Sequence, residues 1–438
     1  MESVYDEAVS LLESLPVKKK FTLKPTRDLC ALLGIDLSRL RCILVTGTNG
    51  KGSVCALCES AIRAAGYRTG LYTSPHLIGY NERIAINGRP VSKGEFGRMI
   101  LESRAAVLGY NAKNADCEMI SEFEAITACA IKRFLDGKVD FAVIEIGMGG
   151  RLDATNVLTP ELSVITKVAI DHAQALGDTV GKIAVEKAGI IKEGRPVVTG
   201  AGGEALEAIR RIAGKHGSPV ITVGTGKADV VFTAKLISLQ GTAVDVGGIF
   251  GKASLGSRSL LGAHQCFNMA VAFAALCELG RLRLLRVPME KIQEGFRLAH
   301  WTGRFETVSS EPLVVLDGGH NPDAAAALSA AIGDLLPGKR LAVVCTLMRD
   351  KDIAGFLSAI APRAEIFLAT TLPMARAAAT GEIAAQARRH CGEVIEEPNC
   401  LAAFLRAKSA VGEGRADAVL VCGSLYLVGG LKKLAGVL

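Results

Sequence analysis

Short apolar segments and amphipathic segments alternate along the first half of the chain. Over residues 122–136, for example, apolar side chains recur at three- and four-residue intervals, which predicts a helix. Strands that alternate with helices predict a doubly wound, mostly parallel sheet, in which ligands bind at the carboxyl ends of the strands. The apolar segments of strand length are residues 43–46, 69–72, 141–146, 163–168 and 196–199.

The pattern changes twice in the second half of the chain. Residues 219–260 are rich in strand-forming residues and glycine, which predicts an antiparallel extension of the first sheet. Near Trp301 strands and helices alternate again, and Pro322 opens an alanine-rich helix. We therefore expect an α/β protein with a first domain over residues 1–299 and a smaller, Rossmann-like domain over residues 300–438. The strand segments of this second domain are residues 313–316, 340–346, 365–369 and 418–422.

Local signals complete the prediction for the N-terminal region. Residues 2–14 form an amphipathic pattern typical of a helix, whereas residues 18–27 are polar and predict a loop before a helix that ends near Gly34. The pair Asn87-Gly88 has the composition of a tight turn and predicts a β-hairpin.

The most specific segment is residues 42–66, with the sequence CILVTGTNGKGSVCALCESAIRAAG. It predicts a strand, a glycine-rich turn that contains Lys51, and a helix ending at Gly66, which is the arrangement of a phosphate-binding loop (P-loop). The backbone N–H groups of such a turn bind phosphate oxygens, and the lysine contacts the β- and γ-phosphates. Gly52 stands where the common motif has Ser or Thr, so the hydroxyl that usually holds Mg²⁺ must come from elsewhere.

Charge and composition narrow the function classes. The 51 basic and 44 acidic residues leave a net charge of +7 that is spread along the chain, and the densest basic run is Lys18-Lys19-Lys20. This distribution, with only 5% aromatic residues, disfavours a nucleic-acid partner and suits a small anionic substrate. No apolar run approaches the ~20 residues of a membrane span, and the acidic N-terminus lacks a signal-peptide pattern, so no membrane partner is expected.

The twelve cysteines are scattered and lie mostly in apolar runs, which favours core packing and a reducing, cytoplasmic location. Cys55 and Cys58 form a C-x-x-C pair, but no second pair follows at zinc-site spacing, so they too are expected in the core. We expect a monomer that acts on small molecules.

Polar residues follow the predicted strands of the first domain. Glu145 ends one strand before a glycine-rich turn, where phosphate-loop proteins place the carboxylate that organises Mg²⁺. Asp171 and His172 follow the next strand; because Mg²⁺ prefers oxygen, His172 is from its spacing either a ligand or a hydrogen-bonded structural histidine. Lys187 lies among apolar residues, where a lysine either reacts with a lowered pKa or extends its ammonium group to the surface.

The second domain shows the same arrangement, in which polar residues follow a predicted strand. A predicted strand ends at Asp317, and a glycine turn with His320 leads to the helix that starts at Pro322. Arg304 lies just upstream. It either neutralises charge on a transferring phosphoryl group at the phosphate loop or is an ordinary surface arginine.

Taken in order, these segments resemble the Mur ligase superfamily and, within it, the dihydrofolate synthase/folylpolyglutamate synthase family. Nearly the whole chain is covered, and the combination of motifs is highly specific. The matching segments are VTGTNGKGS (45–53), TSPHL with YNERI and ING (73–88), EIGMGGRLDATN (145–156), DHAQALGDTVGKIAVEKAGIIK (171–192), HQCFNMAVA (264–272), GRFE (303–306), LDGGHNPDA (316–324) and GSLYLVG (423–429).

The resemblance implies ATP-dependent amide ligation. The γ-phosphoryl group of ATP passes to a carboxylate of dihydropteroate or a folate, and the amine of L-glutamate attacks the acyl phosphate, releasing ADP and phosphate. Phosphorylation is needed because a carboxylate is a poor electrophile, and the protein supplies positioning and charge stabilisation. The expected cofactors are ATP and Mg²⁺ at two sites.

The resemblance also implies residue roles. Lys187 matches a lysine that is carbamylated in the family and supports the second Mg²⁺. The implied catalytic residues are Lys51, Lys187, Arg304 and His320. The implied nucleotide contacts are Gly47, Thr48, Asn49, Gly50, Lys51, Gly52, Ser53, Asn268, Arg304 and Asp317. The implied Mg²⁺ ligands are Ser74, Glu145 and His172, and the implied substrate contacts are His76, Arg83, His320 and Ser424.

Two departures and three alternatives accompany this interpretation. Ala173 and Gln174 follow His172 where the family more often has a hydroxyl residue and a second polar one. Residues 15–35, which match no motif, bear on pteridine recognition. The first alternative is a ligase for a peptidoglycan precursor. Against it, such ligases usually have a hydroxyl residue directly after the lysine at position 51, where this chain has a glycine. A nucleotide-dependent switch would not need Lys187 or the cluster at 317–322, and the diffuse charge argues against a nucleic-acid-dependent ATPase.

Overall fold

A computed structural model describes residues 2–17, 21–114 and 118–434, so the basic run at 18–20 lies outside the described residues. The helices are α1 Glu2–Ser14, α2 Lys24–Leu32, α3 Lys51–Ala64, α4 Lys93–Lys113, α5 Glu122–Asp136, α6 Ala173–Leu176, α7 Val180–Ala188, α8 Gly203–Lys215, α9 Ala263–Arg281, α10 Met289–Leu298, α11 Pro322–Leu335, α12 Ile353–Ile360, α13 Thr380–Ala387, α14 Cys400–Gly412 and α15 Leu425–Leu434.

The strands fall into two sheets. Those of the larger sheet are β1 Cys42–Thr46, β2 Thr69–Tyr72, β3 Ile84–Ile86, β4 Arg89–Pro90, β5 Phe141–Glu145, β6 Leu162–Ile165, β7 Val197–Thr199, β8 Val220–Gly224, β9 Val230–Ser238, β10 Gly241–Gly248 and β11 Ala253–Ser257. Those of the smaller sheet are β12 Glu306–Ser310, β13 Leu313–Leu316, β14 Leu341–Cys345, β15 Ala364–Ala369, β16 Val394–Glu396 and β17 Ala418–Cys422.

The order in which strands are added to the larger sheet reverses at β1. Its order is β11-β10-β9-β8-β7-β6-β1-β5-β2-β3-β4, so β1 lies between β5 and β6 and pairs with both in parallel. Where strand order reverses in this way, the connections leave on opposite faces and open a crevice at the carboxyl ends of the strands. The predicted α/β sheet is confirmed, and its crevice lies at the end of β1.

The predicted antiparallel features are also present. Strands β9, β10 and β11 pair antiparallel and extend the sheet beyond β8. Strands β3 and β4 form a hairpin whose turn is Asn87-Gly88, both in the left-handed region with φ of 50° and 70°.

Two local predictions were wrong. The polar segment 18–27 is not a loop throughout, because α2 begins at Lys24 with Pro25 in its first turn and buries Leu29 and Cys30 on its apolar face. Pro suits that position because its missing N–H has no partner to lose there. The strand predicted to reach residue 168 ends at Ile165, so a loop carries the chain from the sheet to Asp171.

The smaller sheet has the order β12-β13-β17-β14-β15-β16. Its strands pair in parallel except β12, which pairs antiparallel with β13 at the edge. The predicted helix at Pro322 is α11, and the side chain of Asn321 caps it by accepting a hydrogen bond from the N–H of Ala324 at 2.8 Å. None of the helices in the described ranges has the length and apolar character needed to cross a membrane.

Helix α3, which follows β1, is buried along almost all of its length and packs closely on α10. The contact depends on Gly295, because a Cβ at this position would fall against the backbone of Ala61 and Ser60. The Ser60 hydroxyl donates a hydrogen bond of 2.8 Å to the carbonyl of Gly295. Backbone therefore packs on backbone behind the glycine-rich turn.

We predict that Gly295→Ala lowers the free energy of unfolding by about 1–3 kcal/mol, since the added methyl must force α3 and α10 apart. Urea denaturation followed by circular dichroism measures the effect. Gly109→Ala is the matched control: Gly109 lies inside α4 with open space around it, so alanine should stabilise the protein by up to about 1 kcal/mol. Equal stability of the two variants would contradict the packing argument.

Candidate active site

The glycine-rich turn joins β1 to α3 at the crevice. Gly50 is the N-cap of α3 in the left-handed conformation (φ 86°), and a side chain here would collide with the Asn268 amide. Lys51 is the first helical residue, and its Nζ lies 3.3 and 3.4 Å from the carbonyls of Gly47 and Thr48. The helix N-terminus and the ammonium group thus face one cavity, which favours an anion.

This cavity, here called the loop cavity, has a volume of about 210 Å³. It brings together predicted residues from both sheets and from α9. Those that line it are Gly47, Thr48, Asn49, Gly50, Lys51, Gly52, Ser53, Ser74, Glu145, His172, Lys187, Asn268, Arg304, Asp317 and His320.

Gly52 has a steric reason for replacing the usual hydroxyl residue. A Cβ at this position would lie 2.5 Å from Nε1 of the Trp301 indole and 2.7 Å from its Cε2. Trp301 belongs to the segment that connects α10 to the second sheet, so the tryptophan ring occupies the space that a serine or threonine would need.

Glu145 and Ser74 lie together at the ends of β5 and β2. The Glu145 side chain is buried, and its Oε2 accepts a hydrogen bond of 3.0 Å from the backbone N–H of Ser74. Burial raises the pKa of Glu145, while the nearby Lys51 ammonium acts in the opposite direction. The site therefore holds a desolvated carboxylate whose charged form needs a cation nearby.

Lys187 is buried near the end of α7. Its Nζ donates a hydrogen bond of 2.8 Å to the carbonyl of Gly47 in the phosphate loop. Burial, reinforced by the Lys51 charge, lowers the pKa of Lys187 to about 7. Of the two alternatives that the sequence left open, extension of the ammonium group to the surface is ruled out, because the Lys187 side chain is buried.

Asp171 and His172 lie in the loop after β6, facing residues of the second sheet. Lys351 contacts both of them, with Nζ 2.7 Å from Asp171 Oδ1 and 3.3 Å from His172 Nε2. Burial alone would raise the pKa of Asp171, but His172 and Lys351 bring it well below its ordinary value. Burial lowers the pKa of His172, against the Asp171 charge, which raises it.

The second sheet contributes the turn after β13. The two carboxylate oxygens of Asp317 accept hydrogen bonds from the N–H groups of Phe305 (2.9 Å) and Gly319 (2.7 Å), so Asp317 also braces the turn. His320 Nδ1 lies 3.0 Å from the carbonyl of Gly318, and burial together with Lys351 lowers the pKa of His320 to about 4. Neutral His320 therefore carries its proton on Nδ1 and presents Nε2 as an acceptor.

Three predicted residues do not line the loop cavity. Arg83 donates from Nε to His76 Nδ1 at 3.0 Å and pairs with Glu122 at 3.3 Å. His76 lines a neighbouring cavity of about 410 Å³ along α3. Arg83 lines a third cavity, which is described next. Ser424 is buried, and its Oγ accepts a hydrogen bond from the N–H of Tyr426. It lines none of these three cavities.

The cavity that Arg83 lines is here called the N-terminal cavity. It has a volume of about 550 Å³, and Leu12, Leu15, Pro16, Val17 and Phe21 form one of its walls. The opposite walls come from the start of α5 and from the turn after β5. Ser74 and Pro75 line this cavity, the loop cavity and the one along α3, so all three converge at the end of β2.

Sequence reasoning missed the polar contacts between the two sheets at this site. Asn49 of the phosphate loop donates hydrogen bonds to Asn321 (3.1 Å) and Asp323 (2.8 Å), and Lys167 also pairs with Asp323. Lys351 was missed as well. Their only signal in the sequence is a polar residue after a predicted strand or before a helix, which does not identify a partner more than 150 positions away.

Comparison with known proteins agrees with this arrangement. Residues 95–276 match the Mur ligase middle domain, and residues 303–425 match the Mur ligase glutamate ligase domain. The fold is therefore that of a Mur ligase.

Within this class, one relative is the dihydrofolate synthase/folylpolyglutamate synthase of Bacillus subtilis, 33% identical over 99% of both chains. The chain belongs to the dihydrofolate synthase/folylpolyglutamate synthase family. Mycobacterium tuberculosis folylpolyglutamate synthase complexed with ADP and AMPPCP superposes with a TM-score of 0.90 at 29% identity, covering 99% of this chain and 98% of that one. Escherichia coli FolC in complex with DHPP and ADP superposes with a TM-score of 0.84 at 28% identity, covering 99% and 97%.

We predict that Gly52→Ser, which restores the common phosphate-loop hydroxyl, weakens binding of a non-hydrolysable ATP analogue at least ~10-fold, because Trp301 forces the start of α3 out of place. Isothermal titration calorimetry gives the affinity. The double variant Gly52→Ser/Trp301→Ala removes the obstacle and should recover most of the loss. If the single variant binds as tightly as the unmodified protein, the steric explanation for Gly52 is wrong.

Proposed function

We propose that this protein is an ATP-dependent ligase that joins L-glutamate to the carboxylate of dihydropteroate, of a folate, or of both. The observation that carries the proposal is the convergence at Ser74 and Pro75 of a phosphate-binding cavity and a larger, mainly apolar one. A carboxylate at the inner end of the apolar ligand would thus lie beside the γ-phosphate of ATP. Formation of an acyl phosphate requires this proximity.

The nucleotide contacts follow from the loop cavity. Lys51 and the N–H groups of the turn face the position of the phosphates, and Arg304 lies on the wall where the cavity meets the one along α3. Positive charge from the two sides would stabilise the charge that develops on the transferring phosphoryl group. Asn268 and Asp317, which also line the cavity, complete the proposed nucleotide site.

The donor set fits Mg²⁺. Glu145 offers a buried carboxylate oxygen. Ser74, whose backbone N–H bonds to Glu145, carries the hydroxyl that would supply the oxygen that Gly52 lacks. In the described part of the chain no three His, Cys, Asp or Glu residues cluster as a ready-made metal site. This suits Mg²⁺, which is usually held by one or two carboxylates plus substrate phosphates. We propose Ser74, Glu145 and His172 as ligands; when bound, Mg²⁺ would neutralise phosphate charge.

Lys187 is proposed to carry a carbamate. A neutral amine is required for the attack on CO₂, in which an N–C bond forms and one proton is released. A pKa of about 7 makes the amine available at neutral pH. The product is an anion near Gly47 that could support a second Mg²⁺ site.

The N-terminal cavity is proposed to hold the pterin and p-aminobenzoyl groups. The structure of E. coli FolC with DHPP and ADP supports a site for such a ligand in the family. In this chain Val17 and Phe21 are 92% and 45% exposed at the cavity, and a flat aromatic ligand would cover them. Arg83, held by Glu122 and His76, lies where a negatively charged part of the ligand would pass.

The amine of L-glutamate is proposed to approach from the second sheet. His320 presents an unprotonated Nε2 into the loop cavity and can accept a hydrogen bond from the incoming amine. Ser424 lies next to Leu425, which lines the same cavity, but its own side chain would have to turn to reach a ligand.

Two expectations from the sequence stay predictions: the division into domains at residue 300 and the monomeric state. A cytoplasmic location is also proposed, and it is supported by the eleven described cysteines, none of which forms a disulfide.

The decisive experiment supplies the purified protein with ATP, Mg²⁺ and L-glutamate, and either 7,8-dihydropteroate or a reduced folate monoglutamate. ADP release and a product heavier by one glutamyl residue assign the activity to one substrate or to both. Glu145→Ala should cost at least ~10²-fold in rate, whereas Glu207→Ala, on the exposed face of α8, should not. Bound ATP without ligation of either substrate would refute the proposal.

We predict a carbamate on Lys187. After incubation with ¹³C-bicarbonate at pH 8, the ¹³C NMR spectrum should show a carbamate signal that is absent from Lys187→Gln. Lowering the pH below 7 protonates the amine and should remove the signal, since the pKa of Lys187 is about 7. A signal that persists in Lys187→Gln would assign the carbamate to another amine.

We predict that Phe21→Ala raises the KM for the pterin substrate about 10-fold and leaves the KM for ATP unchanged, because the ring loses its burial under the ligand. Steady-state kinetics with each substrate varied in turn tests this. Leu405→Ala removes a similarly exposed apolar side chain (48%) from α14 and should alter neither constant. A rise in the KM for ATP alone would place Phe21 outside the pterin site.

A further inference from the structure

Two groups from the second sheet hold Asp171. Lys351 Nζ lies 2.7 Å from Asp171 Oδ1, and the Asn321 side-chain amide donates to Oδ2 at 3.0 Å. Asp171 follows β6 of the first sheet, whereas Lys351 lies between β14 and α12 and Asn321 caps α11. Each carboxylate oxygen of Asp171 therefore bonds to the opposite side of the crevice.

The contact with Lys351 is shielded from most of the solvent. The side chains of Lys351 and Asp171 are only 6% and 11% exposed, while Lys167, which pairs with Asp323 across the same crevice, is 54% exposed. A buried ammonium and a buried carboxylate each need a partner, and removal of either leaves an uncompensated charge. The Lys351–Asp171 pair thus fixes the loop after β14 against the loop after β6 more strictly than the exposed pair does.

The same ammonium group reaches His172. Its Nζ lies 3.3 Å from His172 Nε2. An ammonium group can only donate, so Nε2 must accept, and neutral His172 then carries its proton on Nδ1. One side chain of the second sheet accordingly sets the position of the loop, the orientation of the imidazole and its tautomer.

We propose that Lys351 is a positioning residue for the ligation reaction, acting through Asp171 and His172. It links docking of the second sheet to the position of the loop after β6 that carries His172. The His172 Nε2 lone pair that accepts from Lys351 is the one that the proposed Mg²⁺ would take, so the ammonium group holds the imidazole in place only until the metal binds. The inference rests on the proposed function for the reaction that it serves. The contact itself can be tested without turnover.

The kinetic test is Lys351→Met. It should lower kcat at least ~10-fold, because displacement of the loop that carries Asp171 and His172 slows the chemical step. The KM for ATP and the KM for L-glutamate should change by less than about twofold. Arg376→Met is the control. Arg376 pairs with Asp350 next to Lys351 but is 61% exposed and does not contact that loop, so its removal should change kcat less than about twofold.

A spectroscopic test addresses the positioning itself. In metal-free protein labelled with ¹⁵N-histidine, His172 should show a proton on Nδ1 and an unprotonated Nε2, with His172→Gln identifying its signals. In Lys351→Met the His172 signals should shift, whereas in Arg376→Met they should not. Unchanged His172 signals in Lys351→Met would overturn the proposal.

A double-variant cycle separates positioning from substrate contact. In an Asp171→Asn background, Lys351→Met should add less than about twofold to the loss in kcat, because the two residues act as a unit. A full additional loss with a raised KM for L-glutamate would mean that Lys351 binds the amino acid directly, and the proposal would be wrong. If the unmodified protein lacks ligase activity while the His172 signals respond as expected, the proposed function fails but the contact stands.

Discussion

Burial of charge at the carboxyl ends of β1 and β5 is the constraint on which this site depends. Glu145 and Lys187 are both buried, and Lys51 lies close enough to alter the pKa of each. A charged group can be kept out of water only where neighbouring charges or a ligand compensate it. The crevice thus suits phosphates and the proposed Mg²⁺, and the proposed carbamate would turn the Lys187 cation into an anion.

The sheet supplies the place for these groups, and close packing maintains it. Because β1 lies between β5 and β6, the turn after β1 opens into a crevice instead of being covered by a helix. Gly295 lets α10 approach the backbone of α3, and Gly52 leaves room for Trp301. Both contacts come from segments after residue 280, so the phosphate loop is shaped partly by sequence far beyond its own motif.

Polar contacts between the two sheets extend the same principle. Asn49 bonds to Asn321 and Asp323, and Asp171 bonds to Asn321 and Lys351. The phosphate loop and the loop after β6 therefore each contact the turn that precedes α11. A site assembled from both sides in this way suits a ligase, whose phosphorylated intermediate must meet the amine and be kept from water.

The sequence by itself determined the α/β class, the phosphate loop, the restart near Trp301 and the family, because glycine turns, strand-length apolar runs and ordered motifs are local signals. Most of the site residues that it selected line the loop cavity. Only the tertiary structure decided which strands flank β1, where the loop after β6 leaves the sheet, and which residues pair across the crevice. Lys351 and Asp171 are 180 positions apart, and their pairing follows from how two sheets pack, which no local pattern encodes.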